Sequence, residues 1–263
     1  MAKDLENNGA IITGSSRGIG AATAELLAAR GAGVVINYRA KAPRANKVVK
    51  SIEASGGKAV AVQADLTEPD GAQALVDAAT EHFGSLNLLV LNASGGMETD
   101  RGEDYALKLN RDAQVTMATT AAETMPAGSQ IVFVTSHQAH FIKETATMDA
   151  YVPVARSKRA GEDALRELVP MLDEKGIRLT IVSGDMIEGT ITATLLDRAQ
   201  PGAIDARRDA AGRLYSVEEF AAEIAQLVGR EDLEQAHTEL VGGAQDFLSA
   251  QSQQQSRDSQ QSS

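Results

Sequence analysis

An α/β fold built on a doubly wound parallel sheet is the architecture this chain predicts, and three observations predict it. Short, near-continuous apolar runs alternate with longer amphipathic stretches along the sequence, the pattern of strands buried on both faces by helices. The first apolar run passes straight into a glycine-rich turn and then a helical pattern. No break in composition divides the 263 residues, a length that one α/β domain can reach. The expected form is a Rossmann-type sheet of about seven strands with helices on both faces, three layers in αβα order. It should occupy residues 1–248 as one domain.

Taken in order, Ala10-Ile11-Ile12 is the first strand, Thr13–Gly20 the turn, and Ala21–Leu27 the start of a helix. Gly33–Asn37, Ala59–Gln63, Leu86–Asn92, Gln130–Thr135 and Ile177–Val182 read as further strands, with a shorter one at Glu239–Val241. Helical periodicity covers Ala45–Ser55, Pro69–Phe83, Tyr105–Met125, Val154–Lys175 and Val217–Val228. Crossovers between parallel strands should be right-handed. Gln200–Gly212 carries Pro, Gly and scattered charges and reads as a surface connection or a loop over the substrate. Residues 249–263 are rich in Ser and Gln, bury too little to offset the cost of ordering, and are expected to be disordered.

Composition narrows the function. A net charge of −11 argues against a nucleic-acid groove, which needs clustered Lys and Arg. No stretch is apolar enough to cross a membrane, and Met1–Ala10 lacks the apolar core of a signal peptide. Cysteine is absent, which excludes thiolate chemistry and makes the cytoplasm the default location.

Chemistry in such a sheet gathers beyond the carboxyl ends of the strands. The turn Gly14-Ser15-Ser16-Arg17-Gly18-Ile19-Gly20 places helix-terminal N–H groups and the positive end of a helix dipole beside a bound anion. Its glycines let the backbone approach a pyrophosphate. The second strand ends in Asn37-Tyr38-Arg39, without the acid that grips a ribose 2′-hydroxyl. Arg39 and Arg17 can instead meet a 2′-phosphate, favouring NADP, with NAD the alternative. Asp65-Leu66 closes strand three, Asn92-Ala93-Ser94-Gly95 strand four and Thr135-Ser136-His137 strand five.

On these residues the chain resembles the short-chain dehydrogenase/reductase family over nearly all of its length except the tail. Thr13–Gly20 is similar to the family's TGxxxGIG cofactor turn, and Asn92-Ala93-Ser94-Gly95 to its NAG element. The resemblance implies that Asp65 contacts adenine, that Asn110 anchors a water and the catalytic lysine, and that Ser136 orients the substrate. Ser157-Lys158-Arg159-Ala160 resembles the end of the YxxSK motif, with Lys158 on the nicotinamide ribose. Thr190 falls where a threonine contacts the carboxamide, although Ser183-Gly184-Asp185 replaces the family's Pro-Gly. The resemblance further implies a homodimer or homotetramer.

The largest departure lies four residues before Lys158, where Val154 replaces the proton-donating tyrosine. A spacing of four puts two side chains about 6 Å apart along one helix face, close enough for lysine to lower a tyrosine's pKa. Tyr151 stands seven residues before Lys158, about 10 Å away on a regular helix. Pro153 fits a first helical turn, which would leave Tyr151 in the preceding loop, free to swing over the nicotinamide or to serve as a buried aromatic at the helix entrance. Three donors are compatible with the sequence: Tyr151, a water held by Lys158 and Asn110, or a hydroxyl of the substrate. His137 and His140 read as surface or pocket-lining residues, and no metal site is expected.

The sequence therefore predicts an NAD(P)H-dependent oxidoreductase that reduces a ketone or oxidises a secondary alcohol, on a hydroxylated natural product or an acyl substrate. A dinucleotide-binding regulatory or structural subunit without turnover is the alternative.

Overall fold

The computed structural model describes residues 4–97 and 104–252. Among the described residues nine strands form: β1 (Gly9–Ile12), β2 (Gly33–Tyr38), β3 (Lys58–Gln63), β4 (Leu88–Leu91), β5 (Gln130–Ser136), β6 (Arg178–Gly184), β7 (Ile187–Glu188), β8 (Tyr215–Ser216) and β9 (His237–Val241). Seven of them make one parallel sheet in the order β3-β2-β1-β4-β5-β6-β9, while β7 and β8 pair separately. β1 pairs with both β2 and β4, so the chain order reverses beside it and a crevice opens at its carboxyl end.

The helices are α1 (Gly18–Ala29), α2 (Ala42–Ala54), α3 (Gly71–Phe83), α4 (Tyr105–Leu107), α5 (Ala113–Ala122), α6 (His137–His140), α7 (Val152–Glu167), α8 (Val169–Glu174), α9 (Ile191–Ala199), α10 (Ala203–Ala211) and α11 (Val217–Leu227). Alternation along each strand builds two cores. Ile11 and Val35 turn to the layer that holds Leu75, Met117 and Leu165, and Ile12 and Ile36 to the layer that holds Leu27, Phe220 and Ile224. Each fully buried side chain of this size contributes about 1.5–3 kcal/mol.

Four elements differ from expectation. The helix over 105–122 contains a π turn, Lys108–Asp112, which carries Asn110. The helix after Tyr151 divides at Leu168, because Pro170 lacks an N–H and sits in the first turn of α8. The segment 200–212, expected as a connection, holds helix α10: Pro201 and Gly202 punctuate α9 from α10 and leave both helical. Residues 249–252, expected to be disordered, are helical, the end of a helix over 245–252 that carries the buried Phe247. The remainder of that tail, 253–263, lies outside the described residues.

Candidate active site

The glycine turn is lashed down by hydroxyls and amides. Ser15 Oγ donates to the Ile12 carbonyl (2.6 Å) and accepts from Asn37 N (3.0 Å). Asn37 Oδ1 accepts from Gly14 N at 2.9 Å, so a side chain near the end of β2 shapes the turn. Asn92 Nδ2 donates to the Thr13 carbonyl at 2.9 Å, and Thr13 Oγ1 accepts from Asn92 N and Ala93 N. Within the turn Gly14 and Gly18 take φ of 64° and 57°, and a Cβ on Gly20 would lie 2.6 Å from Asn92 Nδ2. No side chain caps α1, and no acid occupies its first turn. Its amides and dipole are therefore available to an anion.

This turn opens on a cavity of about 640 Å³. Gly14, Ser16, Arg17, Gly18, Ile19, Gly20, Arg39, Asp65, Leu66, Asn92, Ala93, Ser94, Ser136, Tyr151, Lys158 and Thr190 all line it. The Asp65 carboxylate accepts from Thr67 N (3.0 Å) and Thr67 Oγ1 (2.7 Å), which fixes it at the cavity edge. Lys41 and Arg44 also line the cavity and had not been singled out. The signal was present in the sequence, since both follow Arg39 closely, Lys41 in the β2–α2 connection and Arg44 in the first turn of α2. Arg39 donates to the Tyr105 hydroxyl across that end. Three cations thus line the cavity just after β2, and Arg17 of the glycine turn is a fourth.

Asn110 does not line the cavity. Its amide spans inward, accepting from Gly95 N (3.1 Å) and donating to the Gly95 carbonyl (2.8 Å) and Ser157 Oγ (2.9 Å). It thereby ties the π turn to the β4 exit and to α7.

At the other end of the cavity, Tyr151 closes a one-turn 3₁₀ helix (Asp149–Tyr151) and serves as N-cap of α7, with φ −102° and ψ −14°. The helix axis therefore does not dictate where its side chain goes. Its hydroxyl lies 3.2 Å from Ser136 Oγ at the end of β5. Burial pushes the Tyr151 phenol up, and the Ser136 hydrogen bond only partly offsets it. The group is thus held neutral, as a proton donor must be. Val154 is 3 % exposed, packs with Tyr151, Met186 and Leu196, and does not line the cavity.

Lys158 is 8 % exposed, and burial pulls its ammonium down to about 8. Among the described residues no hydrogen bond or ion pair takes it up. Such a group is costly unless a ligand meets it.

His137 and His140 depart from their expected places. His137 is fully buried, with Nδ1 2.8 Å from Ser183 Oγ, and burial lowers it to about 4. His140 Nδ1 lies 2.9 Å from the Glu162 carboxylate. Neither lines the cavity. Asp185, the first residue after β6, is paired with Arg207 of α10 at 2.8 Å.

Fold and site together define a dinucleotide-binding α/β oxidoreductase. The family described as short chain dehydrogenase matches residues 8–200, and the chain belongs to it. Versicolorin reductase 1 of Dothistroma septosporum is 33% identical over 204 residues, covering 75% of this chain and 76% of that protein. A short chain dehydrogenase from Burkholderia cenocepacia in complex with NADP superposes with a TM-score of 0.76 at 32% identity, over 90% of this chain and 96% of that one. The angucycline C-6 ketoreductase LanV with bound NADP gives 0.76 at 27% identity, over 92% and 97%. No helix among the described residues is long and apolar enough to cross a membrane.

Proposed function

We propose that this chain is an NADP(H)-dependent carbonyl reductase whose proton donor is Tyr151. The observation that carries this reading is the 3.2 Å approach of the Tyr151 hydroxyl to Ser136 Oγ, in one cavity that the buried Lys158 and the glycine turn also line. The residues fit the cofactor: an uncapped helix start with a glycine cradle for the pyrophosphate, and Arg17, Arg39, Lys41 and Arg44 for a 2′-phosphate. When bound, the nicotinamide supplies hydride.

The chain's own residues do the rest. Ser136 Oγ donates to the substrate carbonyl and holds it against Tyr151. The neutral phenol gives its proton to the oxygen as negative charge develops there. Lys158 holds the ribose and, charged, steadies the phenolate left behind. Asn110 acts at one remove, keeping α7 and the β4 exit in register through Ser157 and Gly95. Asp65, Leu66, Asn92, Ala93 and Ser94 border the adenine and ribose, and Thr190 the carboxamide.

The substrate class follows the named relatives, a versicolorin reductase and an angucycline ketoreductase, so a hydroxylated polycyclic ketone is the first choice. A cytoplasmic homodimer or homotetramer fits the cysteine-free composition and the family, and light scattering tests the assembly. The functional test follows NADPH oxidation with a bicyclic aromatic ketone. Tyr151→Phe should slow turnover by about 10² or more with NADPH still bound. An unchanged rate removes Tyr151 from the chemistry. NADPH binding with no turnover of any ketone would favour the regulatory reading instead.

A further inference from the structure

Past β6 the chain leaves the sheet through Asp185 and builds the cavity wall that faces Tyr151. The part of that wall on the cavity is α9, which carries Ile191 and Leu196; α10 packs against α9 and itself lines none of the cavity. The wall rests on a small core in which Ala193, Leu196 and Leu214 pack with Tyr151, Val154 and Met186. This cluster is far smaller than either layer against the sheet. A wall on so little buried area needs a second anchor to keep one position.

Arg207 of α10 is that anchor. Its Nε donates to both Asp185 oxygens at 2.8 and 3.0 Å. One terminal nitrogen donates to the Gly243 carbonyl at 2.6 Å and the other to Asp246 at 3.1 Å. The guanidinium also lies 5.0 Å from the centre of the Phe247 ring. One side chain therefore joins the exit of β6, α10 and the segment after β9. The approach is tight enough to need glycine at 243, where a Cβ would lie 2.6 Å from Ala211 Cβ and 2.9 Å from Asp185 Oδ2. Phe247 in turn stacks on Phe141 at 5.6 Å and meets His137, which directly follows Ser136. The Arg207 and Asp185 side chains are 14% and 2% exposed, so solvent screens the pair little. The neighbouring Arg208–Glu188 pair is 44% and 38% exposed and should matter little.

We propose that Arg207 is a positioning residue for the substrate. It fixes the α9–α10 wall, and with it the apolar face that a bulky cyclic ketone meets, at a set distance from Ser136 and Tyr151. The inference rests on the ketone-reductase reading above. Because the wall touches the body of the substrate and not its reacting carbonyl, loosening it weakens ground-state and transition-state binding alike.

The test compares Arg207→Met, which removes the fork, with Arg207→Lys, which keeps the charge but not the planar geometry. Kinetics are measured with NADPH and 1-tetralone, and hydrogen exchange is followed over residues 191–211. In Arg207→Met the KM for the ketone should rise about tenfold, with kcat and the NADPH Kd each within about threefold of wild type. Arg207→Lys should fall between, and amides of 191–211 should exchange faster while those of β1 and β4 do not. An unchanged KM and exchange in folded Arg207→Met overturns the proposal, as does a fall in kcat at constant KM. Should Arg207→Met not fold, Arg207→Lys carries the same readouts. Should the wild-type protein reduce no ketone, the functional reading fails separately, and exchange over 191–211 still decides whether Arg207 holds the wall.

Discussion

Lys158→Met should make the protein more stable while removing its function. In the cofactor-free protein Lys158 is buried without a partner, and burial alone lowers it from 10.5 to about 8. At 1.36 kcal/mol per pKa unit this is about 3 kcal/mol of penalty carried by the folded state at neutral pH. The sign follows from the folded pKa lying below the unfolded one. Below pH 8 both states keep the proton and the penalty is present in full. Between pH 8 and 10.5 the folded lysine sheds its proton first, and the penalty is relieved. The methionine variant, similar in length and uncharged, should therefore melt about 5–10 °C above wild type at pH 7. That difference should shrink by more than half by pH 9.5. Thermal melts of both proteins without cofactor, followed by circular dichroism at the two pH values, measure it. NADPH should then raise the melting temperature of wild type more than that of the variant. A variant no more stable at pH 7, or a difference that ignores pH, would refute the assignment of a partnerless buried ammonium.

Other substitutions probe the rest of the site. Val154→Tyr in a Tyr151→Phe background restores the family's spacing but should not restore activity, and should cost about 1–3 kcal/mol by overpacking the Tyr151 cluster; regained turnover would disprove this. Arg39→Ala with Arg44→Ala should raise KM for NADPH about tenfold or more and leave NADH nearly unaffected, as read from paired cofactor titrations. His137 is buried neutral, its folded pKa of about 4 lying below the ordinary 6.5, so it costs stability as pH falls through that window. Denaturant melts at pH 7 and 5 should show wild type losing about 2 kcal/mol more than His137→Phe; equal losses would count against it.

The sheet was legible because its strands are apolar on both faces and its turn joins strand to helix without interruption. Ile11 and Ile12 serve opposite cores, which a run of three apolar residues already implies. The residues expected at the cofactor line one cavity for the same reason, since backbone and strand ends place them. The catalytic half was harder. Tyr151 precedes α7, and helical spacing measures nothing across a 3₁₀ turn. The pairing of Asp185 with Arg207 joins residues from separate segments, so neither one's role is visible from its neighbours. His137 was misplaced because a polar residue after a strand usually meets solvent, whereas Phe141 and Phe247 cover this one.

The hydrogen bond between Ser136 and Tyr151 closes a loop of chain on itself, from the end of β5 to the start of α7. Lengthening a flexible loop is cheap, about 0.6 kcal/mol for each doubling. Tyr151 is itself the N-cap of α7, so its ring is tied to Ser136 on one side and to the helix that carries Lys158 on the other. The connection 141–148, between α6 and the 3₁₀ turn, can therefore change length while α7 and Lys158 stay where they are.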